Sequence, residues 1–184
     1  GQGEAGARGA ETLSRAVAVG TVGAVLDRAK NTEQRSQLVQ SAVSGAVNAA
    51  MKNLILNPSA AAAAEGAVRG FVIGTVATVL AKVESRIERQ QIVRSTMTTV
   101  VRTVITSLGK APSQQKLDAA QTIVRAASAG AVSAVIQSAV SAAERANLVR
   151  ATTGAVTTAA IEAVESGEID MRTAAVLAGA SVTG

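Results

Sequence analysis

Apolar residues recur along this chain at helical spacing, and the helical pattern itself recurs on a longer period. Val22, Val25, Leu26 and Ala29 stand at i, i+3, i+4 and i+7, which is one face of a helix. Val39, Val43, Val47, Ala50 and Leu54 form a second stripe. Blocks 20–47, 74–101 and 130–157 align without a gap, at offsets of 54 and then 56 residues. An arginine precedes the first glycine of each block by five residues (Arg15, Arg69, Arg125), and a second recurs at Arg35, Arg89 and Arg145. Each of these is followed three residues later by an apolar pair: Leu38-Val39, Ile92-Val93 and Leu148-Val149. A fixed period of this length marks a supersecondary unit that buries its apolar face on its neighbours. The pattern predicts an all-α fold: a compact bundle of about six helices plus a short C-terminal helix, built from three helical-hairpin repeats.

The predicted helices cover 12–29 and 32–54, 60–83 and 86–107, 114–139 and 142–164, with the short one at 171–179. Capping chemistry marks the break inside each hairpin. Ser85 with Glu88, and Ser141 with Glu144, read as capping boxes, in which the serine accepts the N–H three residues on and the glutamate reaches back to the serine's own N–H. Asn31 with Gln34 is the weaker form at the aligned positions. The alternative is that 67–108 and 123–164 are continuous rods, since neither junction contains glycine or proline. Between hairpins the stops are Asn57-Pro58-Ser59 and Ala111-Pro112-Ser113, where proline ends any helix arriving from before. Ser166-Gly167-Glu168 takes that place in the third unit. One domain, 12–179, follows, with repeats at about 12–57, 58–111 and 112–167. The glycine-bearing ends, 1–11 and 180–184, read as flexible linkers. Together with the initial glycine, they predict a unit cut from a longer tandem array.

Gly20, Gly74 and Gly130 lie mid-helix, where glycine costs about 1 kcal/mol against alanine. Their recurrence predicts close helix–helix approach at these three positions; ligand contact is the alternative.

Composition narrows the function classes. The 184 residues include no cysteine and no histidine, so disulfides, thiolate chemistry, the commonest general base and the commonest metal ligand are all missing. Phe71 is the only aromatic residue, which leaves almost nothing on which bases could stack. The net charge is +5, yet basic residues are spread along the chain and mixed with acids, as at Glu84, Arg86, Glu88 and Arg89. No run of five like charges occurs, so the charge reads as a solvated surface rather than a nucleic-acid footprint. No uninterrupted apolar stretch reaches the ~18 residues of a spanning helix, and no transmembrane segment is expected. No nucleophile with an activating base, phosphate loop, metal-ligand cluster or dinucleotide fingerprint is present. The chain is therefore not expected to be an enzyme, to need a cofactor or metal, or to take a small-molecule substrate.

One stretch conflicts with its own predicted helix. Thr96, Thr98, Thr99, Val100, Val101, Val104 and Ile105 fall within 96–106, a run of β-branched residues with Arg102 as its only charge. Low charge and absence of proline make it a candidate strand-converting segment. The two readings are tertiary override of propensity and a soluble helical store that converts to strand-rich fibre.

The small-residue character of the whole chain resembles the repetitive domains of spider silk proteins, and aciniform or pyriform silks in particular. Gly1-Gln2-Gly3, the alanine run at 60–64, Gln90-Gln91, Gln114-Gln115 and the segment 126–134 carry the likeness. Serine is scarcer and arginine commoner than in those silks, and long glycine–alanine blocks are missing. The resemblance implies a secreted, extracellular structural protein, stored at high concentration and assembled into fibre by self-association with similar repeats. Two further function classes remain: an amphipathic helical protein that covers a lipid or other apolar interface, and a helical protein-interaction scaffold of solenoid type.

Overall fold

The computed structural model describes residues 2–183, the side chain of Gln2 excepted. Those residues form seven α-helices and no strand. They are α1 (Gln2–Arg28), α2 (Thr32–Leu56), α3 (Ala61–Lys82), α4 (Arg86–Leu108), α5 (Gln114–Ser138), α6 (Ala142–Glu165) and α7 (Met171–Thr183). A single 3-10 turn, Pro58–Ala60, leads into α3. The junctions at 29–31, 83–85 and 139–141 interrupt the helix, so the hairpins are not continuous rods.

The breaks form where the polar caps stand. Asn31, Ser85 and Ser141 each adopt extended backbone and accept the N–H three residues ahead. Ser113 does the same at the start of α5, accepting from Lys116. Ser59 does not cap α3; its hydroxyl donates to Asn57 Oδ1. Helix α4 stops at Gly109 and α6 runs out at Gly167, both with φ near +70°, a conformation that L side chains rarely adopt.

Two bounds differ from the expectation by more than a turn, the others by two residues at most. Helix α1 starts at Gln2 rather than 12, and α7 extends to Thr183 rather than 179. The interval 1–11 read as linker is thus helical from Gln2, and 180–184 is helical through Thr183; Gly1 and Gly184 lie outside the described residues. The physical reason on the α1 side is packing from α3. Gly66 and Gly70 bring the α3 backbone so near Ala7 and Glu11 that an added Cβ would lie 2.2 Å and 2.1 Å from their carbonyl oxygens.

The helices pair most extensively with the helix two places away, not with the hairpin partner. Helices α1, α3, α5 and α7 form one layer, and α2, α4 and α6 form the other. Apolar stripes from both layers meet in one core, with Val22, Val43, Val76, Val100, Ile123 and Val156 all fully buried. Helix α3 is the most apolar, burying Val68, Val72, Ile73, Val76, Val79 and Leu80. This core is valine- and alanine-rich, so it depends on close approach of backbones rather than on large side chains.

Candidate functional site

The layered arrangement brings charged residues from helices two apart together, at positions that align in the sequence. At the even-layer junctions, Arg35 Nη1 on α2 lies 2.9 Å from Glu88 Oε1 on α4, and Arg89 Nη1 on α4 lies 2.9 Å from Glu144 Oε1 on α6. In the odd layer, Arg69 on α3 faces Glu11 on α1 at 3.9 Å, and Arg125 on α5 faces Glu65 on α3 at 3.3 Å. Lys82 with Asp27 and Arg102 with Glu162, each at 2.6 Å, complete the inter-helix ion pairs among the described residues. Each of these pairs joins helices two apart.

The Arg89–Glu144 pair is the most enclosed, with side chains 14% and 5% exposed. Its hydrogen bond from Arg89 holds the Glu144 carboxyl below its ordinary value. Burial pushes the other way, and the Val140 N–H, donating to Glu144 Oε2 at 3.1 Å, adds to the lowering. Arg89 also donates through Nε to the Val83 carbonyl, tying the end of α3 to the start of α4. Asp170 is lowered too, chiefly because its carboxylate accepts the Thr173 N–H at the start of α7.

The caps differ from the reciprocal box read from the sequence. Ser85 accepts the Glu88 N–H at 3.3 Å, but the Glu88 carboxylate turns to Arg35 instead of back to Ser85. Ser141 accepts the Glu144 N–H at 3.1 Å, while Glu144 reaches one residue further back, to Val140. Gln34 makes the matching bond to the Lys30 N–H at 2.7 Å. Glu144 is thus shared between capping and binding Arg89, whereas Glu88 binds Arg35 alone; the reach to an arginine two helices back has no local sequence signal.

The three mid-helix glycines separate. A Cβ on Gly74 would lie 2.6 Å from the Arg15 carbonyl oxygen, and one on Gly130 would lie 2.7 Å from the Arg69 carbonyl oxygen. Gly20 is exposed and meets nothing within 4 Å, so the close approach expected there is absent. The reason is position in the stack: α1 is the edge of its layer, with no helix on its far side. Gly66 and Gly70, which the alignment did not single out, make closer approaches than either.

The β-branched segment lies in α4, the central helix of the even layer. Thr96, Val100, Val101, Val104 and Ile105 are buried, while Thr98, Thr99 and Thr103 are half-buried. Thr103 Oγ1 hydrogen-bonds Ser44 Oγ across to α2 at 3.2 Å, and Thr106 Oγ1 donates to the Arg102 carbonyl. The Thr96 hydroxyl is buried without a hydrogen-bond partner. An open groove of about 750 Å³ runs between α2 and α4, lined by polar residues including Gln37, Gln40, Ser44, Asn48, Thr99 and Arg102.

No group of three or more potential metal ligands occurs among the described residues. Two helical stretches, Pro58–Lys82 and Gln114–Ser138, are long and apolar enough to cross a membrane by length and composition. Neither is an uninterrupted apolar run, since Glu65 and Arg69 stand in the first and Lys116, Asp118 and Arg125 in the second. Their apolar windows are 72% and 61% buried inside the fold, as the core helices of a two-layer protein would be. No protein family matches the chain, and neither a curated protein nor a solved structure does.

Proposed function

We propose that this chain is a structural module of a secreted, silk-like fibre-forming protein. It is stored as a soluble helical stack and assembles by self-association with partial helix-to-strand conversion. Its architecture on this reading is three helical hairpins of about 54–56 residues, each stacked on the one before. The observation that carries the reading is the 96–106 segment: eleven residues rich in valine, isoleucine and threonine, held as helix at the centre of the even layer. Such residues favour pleated structure, so burial between α2 and α6 is what keeps them helical. Loss of that packing releases a strand-competent run with one charge. The aligned Arg–Glu pairs and close glycine contacts support the hairpin-repeat reading, because equivalent residues make equivalent contacts.

No reaction, cofactor or small-molecule substrate is assigned. A second reading, a helical scaffold for a protein partner, draws on the layering of helices two apart and on the polar α2–α4 groove.

The test is far-UV circular dichroism on concentrated protein before and after shearing in phosphate, a salt that strengthens effective burial. A helical spectrum that turns strand-rich, with fibres, is the expected result. A spectrum that stays helical with no fibre removes the conversion reading and favours the scaffold.

A further inference from the structure

Layered helical proteins close their ends with polar outer faces, which keep the stack from growing. Neither end of the odd layer is closed in this way. On α1 the stripe opposite the buried Ala18 and Val22 passes through Gly9, Leu13, Ala16, Val17 and Gly20 without a charge, and Leu13 and Val17 are 70% and 52% exposed. On α7 the outward residues are Met171, Arg172, Ala175, Gly179 and Val182, with Met171 and Val182 72% and 81% exposed and Arg172 the one charge among them. A mostly apolar groove of about 460 Å³ lies beside them, between α6 and α7, with Ile161 and Val164 on its α6 side.

The interior contacts define what fits these faces. Gly74 of α3 rests on the Arg15 carbonyl of α1, and Gly130 of α5 rests on the Arg69 carbonyl of α3. Gly20 is the remaining member of that aligned set and stands uncovered. At the other end, Thr173, Ala174, Leu177 and Ala180 of α7 are buried at the spacing of Ala119, Ala120, Ile123 and Ala126 in α5. This register gives Gly179 the place that Arg15 and Arg69 hold in the earlier helices. Gly20 therefore matches Gly179, and Ala16 matches Ala175. The same register sets Arg8 of an incoming copy beside Glu168, an exposed carboxylate at the α6–α7 corner.

We propose that the α1 face of one copy docks on the α7 face of the next, over the α6–α7 groove, and so continues the α1–α3–α5–α7 layer from copy to copy. The two patches differ, so the contact is heterologous and its repetition builds an open filament rather than a closed dimer. This rests on the self-association reading above and names the surface that performs it.

Sedimentation velocity of the whole chain over rising concentration tests it with three proteins: wild type, Ala16→Glu/Gly20→Glu, and Ala175→Glu/Gly179→Glu. All four positions are exposed, and a side chain at Gly20 or Gly179 meets nothing within 4 Å. Circular dichroism checks that each variant folds. Wild type is expected to show a concentration-dependent rise in sedimentation coefficient, and each variant alone to lose it. An equimolar mixture of the variants recovers association, because the intact α7 face of one meets the intact α1 face of the other. Variants that associate like wild type overturn the proposal, as does a wild type that stays monomeric at every concentration. Loss in the α1 variant alone overturns it in favour of α1–α1 pairing. Shear-induced fibre is scored separately: fibre with unaltered association of the variants sinks this docking mode and leaves the fibre reading standing. A wild type that associates as described yet gives no strand-rich fibre does the reverse.

Discussion

Gly20 and Gly70 both lie mid-helix, and each forgoes about 1 kcal/mol of helix propensity against alanine. They differ in what a methyl group would meet. At Gly70 it would strike the Glu11 carbonyl, which belongs to backbone and cannot swing away. Gly70→Ala is therefore expected to destabilise the fold by about 1–3 kcal/mol, and Gly20→Ala to stabilise it by up to about 1 kcal/mol. Urea unfolding of the two variants checks the pair; equal effects would contradict the packing argument. Glu144 gives a second residue-scale prediction. Its folded pKa is lowered by Arg89, so its contribution to stability is present above the ordinary carboxylate range and is lost as pH falls through the folded value. Glu144→Gln is expected to cost about 1.5–3 kcal/mol at neutral pH. The gap to wild type should close as the pH is taken below the carboxylate range. Denaturant titrations at pH 7 and near pH 3 test this, and a gap that does not change with pH would show that the charge is not what matters.

At the scale of the element, α4 is where propensity and packing disagree. Its stripe Ile92, Val93, Met97, Val100, Val104 and Leu108 is buried, so tertiary contacts select helix for a sequence with strand preference. Thr98 and Thr99 are only half-buried, which allows their propensity to be changed with little disturbance of the core. Thr98→Ala/Thr99→Ala is expected to stabilise α4 and lengthen the lag before shear-induced strand formation, read by far-UV circular dichroism. An unchanged lag would move the converting segment elsewhere in the chain. The cap positions and the breaks between helices are legible from sequence because they depend on groups three or four residues apart. The reach of Glu88 and Glu144 to arginines two helices back is not, because those partners lie 53 and 55 residues away.

For the whole molecule, stability is carried by contacts between helices two apart, and the middle of each layer is covered on both sides. Helices α1 and α7 are covered on one side only. Hydrogen exchange is expected to be slowest in α3, α4 and α5 and faster in α1 and α7. Uniform protection across all seven helices would mean that the stack opens only as a unit. The opposed, mostly apolar outer faces of α1 and α7 also belong to this scale, since neither is visible until the order of helices in the layer is known.

The all-α class, six of the seven helices to within a few residues at either end, and the N-cap residues Asn31, Ser85 and Ser141 follow from the sequence by itself. Helical periodicity, proline stops and serine caps act over one or two turns, and a repeated pattern states them three times. Tertiary structure alone decided which residues pay for close approach, where α1 begins, and which charges pair. Repeat symmetry assigns Gly20, Gly74 and Gly130 the same role, but a role in packing needs a neighbour, and the edge helix has none. Gly66 and Gly70, by contrast, have no counterpart glycine in the other units, and only the path of α1 across α3 makes them necessary. Local chemistry is written in neighbouring residues, whereas a helix–helix contact is fixed by two surfaces that meet only after the chain has folded.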